Sequence, residues 1–178
     1  GIAPSKAWFM NPEFPPDLGG GAGMYSYAKE IRASAAAEGA EVLLLDGGNI
    51  YQGTPLGMAD SGRAMIDWMN QMEYDASVIG LQEFMFGMDN IARLDQVSKF
   101  PLLSANVSTR NYDPQDNLVK TLDGVKIGIV GLTTSNTPNK LLPVQTDGVI
   151  FSKEIPVVKK QVANLKAQGV NCIIGLFH

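Results

Sequence analysis

Val42-Leu43-Leu44-Leu45-Asp46-Gly47-Gly48-Asn49-Ile50-Tyr51-Gln52-Gly53 is an apolar run that breaks into a glycine-rich loop carrying one carboxylate and one amide. Four consecutive large apolar residues followed by glycines read as a buried strand and its exit. A second stretch repeats the arrangement, with Ser77-Val78-Ile79 leading into Gly80-Leu81-Gln82-Glu83-Phe84. In open α/β sheets, ligands and chemistry gather at strand exits, so these two loops are the first candidates for a site.

Outward from them, the pattern alternates strand and helix. Residues 41–45 form a strand, followed by a helix over 61–72 with Ser61 as N-cap and Ala64, Met65, Trp68, Met69 and Met72 on one face. A strand over 76–79, a helix over 89–98 bearing Ile91, Leu94 and Val97, and a strand over 101–104 come next. Three such units in succession imply a parallel sheet with right-handed crossovers. Upstream, Ala7-Trp8-Phe9-Met10 reads as a short first strand, and Pro12, Pro15 and Pro16 force an extended loop after it. The Gly19–Gly23 run lacks both the Lys-Ser/Thr ending of a phosphate loop and the dinucleotide fingerprint, and reads as a flexible lead-in to a helix over 24–38. That helix recurs apolar at Tyr27, Ile31 and Ala35 and stops at Gly39. Downstream, residues 118–122 and 125–132 flank Asp123-Gly124, a two-residue hairpin signal. An irregular excursion over 133–146, a helix over 155–168 and a last strand over 170–177 complete an α/β layer system that reads as incomplete. The chain stops at His178 directly after an apolar run, as a truncation at a strand exit would, and Gly1 reads as a processed or first ordered residue.

Composition removes several classes of function. With 178 residues, 45% of them hydrophobic and 18% charged, the chain is one ordinary globular domain, with no apolar run of about eighteen residues to span a bilayer. Fourteen basic against eighteen acidic residues, without a basic cluster, leave no footprint for nucleic acid. The lone Cys172, inside Cys172-Ile173-Ile174, reads as a buried structural thiol and forbids an intrachain disulfide. Asn106-Val107-Ser108 fits the short N-glycosylation pattern.

At the two loops, and at Phe86-Gly87-Met88-Asp89-Asn90, Phe100-Pro101-Leu102-Leu103-Ser104-Ala105-Asn106-Val107 and Gly124 through Thr134, the sequence resembles the metallophosphoesterase superfamily. The resemblance is to the catalytic domain of the 5′-nucleotidase family, which also includes the sulfur-oxidation enzyme SoxB. It implies an α/β/β/α sandwich of which this chain holds the first part, and two metal ions at the strand exits that clamp a phosphate and generate a hydroxide. By resemblance, the family's Asp-x-His motif falls on Asn11-Pro12-Glu13 and its Gly-Asp motif, with the bridging carboxylate, on Gly48-Asn49. Its Gly-Asn-His-Glu motif falls on Gly80-Leu81-Gln82-Glu83, and a later strand-end His is kept as His178.

The altered positions carry a physical consequence. The neutral amide of Asn49 removes the charge that offsets two divalent cations about 3.5–4 Å apart. Leu81 ligates nothing, and Gln82, at the family's catalytic His position, has no accessible proton equilibrium. Glu13 and His178 are two good ligands where a site needs three or four. Asp46 and Glu83 read as loop-fixing or metal-supporting carboxylates, and His178 reads equally as a core-edge residue. The expectation is therefore a catalytically inactive relative, kept for binding or assembly, with no cofactor. The alternative is an active phosphoesterase holding manganese, zinc or cobalt with ligands beyond His178. The abrupt strand end motivates a protein partner that completes the sheet or site, and resemblance points to the periplasm or cell surface.

Overall fold

The computed structural model describes residues 4–51 and 55–178. Gly1 and the Gln52-Gly53-Thr54 end of the first loop lie outside the described residues. In chain order the elements are β1 (Ser5–Lys6), β2 (Asp17–Leu18), α1 (Gly20–Ala37), β3 (Leu45–Asp46), α2 (Pro55–Met58), α3 (Arg63–Met72), β4 (Ala76–Val78), α4 (Met88–Asp95), β5 (Leu102–Leu103), β6 (Val107–Ser108), β7 (Asn117–Leu122), β8 (Val125–Leu132), β9 (Ile150–Phe151), α5 (Glu154–Ala167) and β10 (Cys172–Phe177).

They build two three-stranded sheets, one parallel in the order β3-β4-β5 and one mixed in the order β10-β8-β7. Alternating side chains then sort into three apolar layers. Ala76, Leu103 and Ile129 meet between the sheets, joined by Leu43, Leu45, Leu118, Ile127, Ile174 and Leu176. On the outer face of the parallel sheet, Leu102 and Ile79 pack with Met65, Ile66, Met69 and Met72 of α3 and with Ile91 and Leu94 of α4. On the outer face of the mixed sheet, Val130 and Leu132 pack with Leu165 of α5. The result is helix, sheet, sheet, helix, the sandwich that the resemblance implied.

The Asp123-Gly124 hairpin is present, with both residues at positive φ (44° and 75°) and Leu122 paired to Val125. Such a turn matches the right-handed twist of its strands. Gly39 and Gly169, at φ 71° and 73°, follow the ends of α1 and α5 and let the chain leave each helix.

Several expectations are corrected. Residues 7–10 form a turn rather than a strand, with Trp8, Phe9 and Met10 exposed. The Ala7 N–H donates to the Pro16 carbonyl (2.8 Å), so the chain doubles back and pairing falls to β1 and β2, outside the prolines. Helix α1 starts inside the glycine run, at Gly20, and its expected apolar face is exposed at Tyr27 and Ile31. The N-cap of helix α3 is Gly62, at φ 95°, rather than Ser61, which also sits at positive φ, and Asp60 Oδ2 accepts the Ala64 N–H of the first turn (2.8 Å). Cys172 is exposed, because it opens the outermost strand of its sheet. The sequon residue Asn106 is 3% exposed and donates Nδ2 to two carbonyls, so folded protein offers no glycosylation site there. Among the described residues, no helix is long and apolar enough to cross a membrane.

Candidate functional site

Asp46 closes β3 and turns its carboxylate back onto its own loop. Its Oδ1 accepts the Gly48 N–H and the Ser77 hydroxyl, each at 2.8 Å, which ties the loop to β4. Gly48 has φ +85°, and a Cβ there would stand 2.8 Å from both the Gly80 nitrogen and the Val78 oxygen. Only glycine satisfies both the left-handed backbone and that contact. Asn49 follows at φ +62°, a conformation that Asn tolerates better than most residues.

The second loop meets the first through one buried carboxylate. Glu83, 2% exposed, accepts the N–H groups of Asn49 (2.9 Å) and Gly80 (2.7 Å) on Oε2 and that of Ile50 (2.8 Å) on Oε1. Burial raises the Glu83 carboxyl above its ordinary range, and these N–H donors pull the other way. The Tyr51 hydroxyl donates to the Glu83 carbonyl. Burial first, and then the nearby Glu83 charge, push that phenol upward, so it stays a donor. The Asn49 side chain is occupied as well: its Oδ1 accepts the Gln82 N–H at 2.9 Å.

A polar network absent from the sequence reading carries this pair of loops. The Thr133 hydroxyl donates to the Ile79 carbonyl (2.6 Å), so the Ser104 hydroxyl, 2.8 Å away, donates to Thr133. Asn106 closes the group, accepting the Thr133 N–H and donating to its carbonyl. Buried polar groups held this fully are a rigid support. The available signal was a polar residue directly after each apolar strand run.

His178 reaches the site from the other sheet. Its N–H donates to the Leu132 carbonyl, and its Nδ1 lies 2.7 Å from the Gly47 carbonyl oxygen. A carbonyl oxygen only accepts, so Nδ1 carries the hydrogen, and in that tautomer the ring's lone pair lies on Nε2. Asn11 and Glu13 do not join this group. Asn11 Oδ1 accepts the Glu13 and Phe14 N–H groups within its own exposed loop, and among the described residues no bond joins either residue to Asn49, Gln82 or His178.

The donor set does not fit a pair of metal ions. Asn49 Oδ1 and both Glu83 oxygens are committed to N–H groups, Leu81 offers nothing, and His178 Nε2 stands as a single imidazole donor. Among the described residues, no group of three or more His, Cys, Asp or Glu side chains is placed to hold a metal. Beside the first loop lies a cleft of 540 Å³, lined by the Gly19–Gly23 run, Met24 and Tyr27 of α1, by Asp46, Gly48, Asn49 and Ile50, and by Met65, Trp68, Met69 and Tyr74.

Two packed sheets with helices on both outer faces, and loops from both sheets meeting at the strand exits, define a metallophosphoesterase-type domain. Comparison with known proteins gives the same class, and within it the chain is related to the 5′-nucleotidases. It is 35% identical to the 5′-nucleotidase of Rattus norvegicus over 169 residues, which is 90% of this chain and 28% of that protein. The solved 5′-nucleotidase precursor of Thermus thermophilus superposes with a TM-score of 0.85 at 27% identity, covering 99% of this chain and 34% of that one. SoxB from the same organism shares the fold, with a TM-score of 0.83 at 22% identity over 91% of this chain and 30% of that one. The chain therefore spans about a third or less of each of these three relatives. No family model matches it.

Proposed function

We propose that residues 1–178 form one 5′-nucleotidase-type domain that does not carry out two-metal phosphoester hydrolysis and serves as a binding or structural module of an exported protein. The observation that supports this reading is the bond from Gln82 N–H to Asn49 Oδ1. The position expected to bridge two cations holds a neutral amide, and that amide is spent on joining the two loops. Without a bridging carboxylate the repulsion between two close divalent ions is uncompensated. Gln82 adds no proton-transfer group to replace what is lost. The test is phosphate release from nucleotides and from a generic phosphate ester with manganese, zinc or cobalt added. The expected outcome is no turnover above buffer, and turnover abolished both by chelator and by His178→Ala overturns the reading.

One observation favours a second reading. The Nδ1 bond to Gly47 fixes His178 in the tautomer that a metal ligand needs. A single ion held by His178 with donors from outside these residues would restore a hydrolase. Elemental analysis of the protein as its source cell makes it separates the two, since a stoichiometric transition metal supports the hydrolase.

A further inference from the structure

Thr133, the first residue after β8, has both of its backbone groups taken by one side chain. Asn106 Oδ1 accepts the Thr133 N–H (2.9 Å), and Asn106 Nδ2 donates to the Thr133 carbonyl (2.7 Å). A carboxamide carries the same donor and acceptor as a peptide group, so Asn106 stands where a neighbouring strand's backbone would pair. The two ends of the amide cannot trade places, because the Thr133 N–H requires the oxygen and Nδ2 also donates to the Ser152 carbonyl (3.0 Å). Asn106 is itself pinned, since its own carbonyl accepts the Ser152 N–H (2.8 Å). Successive residues of an extended chain direct their backbone groups to opposite edges. The residues on either side of Thr133 therefore face β10, and there they grip His178. The His178 N–H donates to the Leu132 carbonyl (2.9 Å), and the Thr134 N–H donates to the His178 carbonyl (2.6 Å). These rungs carry the parallel register, in which Leu132 pairs with Phe177, one residue beyond both strands.

We propose that Asn106 is the positioning residue of His178: its carboxamide holds the β8 exit extended from one edge, so that the other edge fixes the His178 backbone where Nδ1 reaches the Gly47 carbonyl. Without Asn106 the Thr133 N–H and carbonyl are buried and unmet. The exit relieves that cost by turning toward water, which takes Leu132 and Thr134 out of line with His178. The imidazole then loses the bond to Gly47 that sets its tautomer. This inference rests on neither reading of the site's chemistry, since it holds for a bare imidazole and for one that binds an ion.

Nitrogen NMR of the imidazole ring, at a pH where it is neutral, tests the proposal, and His178 is the one histidine among the 178 residues. The unsubstituted protein is expected to show the Nδ1–H tautomer. In Asn106→Ser, whose short hydroxyl leaves room for water at Thr133, that signature is expected to be lost. The Thr134 and His178 amides are expected to lose their protection from exchange with it, while the Ser77 amide, bonded to the Pro101 carbonyl in the other sheet, keeps its own. Leu94→Ala, a truncation in the core under α4, is expected to leave the tautomer in place. An unchanged tautomer in Asn106→Ser overturns the proposal, and so does an equal loss in Leu94→Ala, which marks general loosening. Should Asn106→Ser not fold, the unsubstituted protein decides. Slow exchange of the Asn106 carboxamide and Thr134 amide hydrogens supports the proposal, and exchange as fast as that of the exposed Asn111 carboxamide overturns it.

Discussion

Three backbone N–H groups from two loops converge on the Glu83 carboxylate, one on Oε1 and two on Oε2. In Glu83→Gln the amide oxygen can keep the pair from Asn49 and Gly80, but the amide NH₂ then faces the Ile50 N–H, donor against donor. Leaving one buried donor unmet costs about 1–3 kcal/mol, measurable by urea denaturation. The pH dependence has a definite sign. Burial raises the folded-state pKa above the unfolded one, so between the two values the folded chain holds a proton that the unfolded chain has released. Stability from this residue therefore falls as pH rises from the ordinary carboxylate range, and levels off above the folded value. Glu83→Gln, having nothing to titrate there, is expected to lack that slope, so the wild-type advantage shrinks with rising pH. At this scale the sequence was legible in part. The two loops could be found because each follows an apolar run, and Gly48 and Gly80 stand where the loops touch. Which side chains meet was not legible: motif order put Asn11 and Glu13 with Asn49, but whether a proline-rich loop folds toward a distant strand exit depends on contacts that local residues do not encode.

Strand β8 shows how an element transmits the sandwich geometry. Ile127 and Ile129 face the other sheet while Val130 and Leu132 face α5, the period-two alternation that made the strand readable. Gly131 falls on the inter-sheet face, where a Cβ would run into the Leu103 side chain and stand 2.7 Å from its carbonyl oxygen. Leu103 precedes Ser104, and Gly131 precedes Thr133 by two, so the point of closest sheet approach lies just below the polar group that holds the Ile79 carbonyl. Gly131→Ala is expected to force the strands apart at a cost of about 1–3 kcal/mol, as overpacking does, and to speed exchange of the Ile79 amide at the base of the site. Equilibrium unfolding with residue-resolved exchange checks both. The hairpin, α3, α4 and α5 were readable for similar local reasons. The burial of α1 was not, because an apolar stripe states what a helix can bury and not whether a partner stands opposite.

Across the whole molecule the two sheets are joined by apolar contact, by the hydrogen bonds of Ser104 and Thr133 at the strand exits and, among the described residues, by one ion pair. Lys120 of β7 binds Asp75, the residue before β4, and Asp75 also accepts the Leu44 N–H through its second oxygen. The Asp75 side chain is only 10% exposed, whereas that of Lys120 is 40% exposed. Lys120→Met would keep the apolar stem and remove the charge, leaving a nearly buried carboxylate with one N–H donor. Breaking a fully buried pair costs about 3–5 kcal/mol, but water around the half-open lysine screens the interaction and brings the expectation to about 1–2 kcal/mol. The Lys6–Asp17 pair is the internal control: both side chains are 52% exposed on the β1–β2 hairpin, and Lys6→Met is expected to change stability by less than about 0.5 kcal/mol. A double-mutant cycle with Asp75→Asn isolates the coupling. If Lys120→Met proves as neutral as Lys6→Met, the inter-sheet contact is held by Ala76, Leu103 and Ile129 and by the Ser104–Thr133 hydrogen bonds without help from the ion pair. A measurable coupling shows instead that the ion pair fixes how the parallel sheet sits against the mixed one, and thereby how far Gly47 lies from His178.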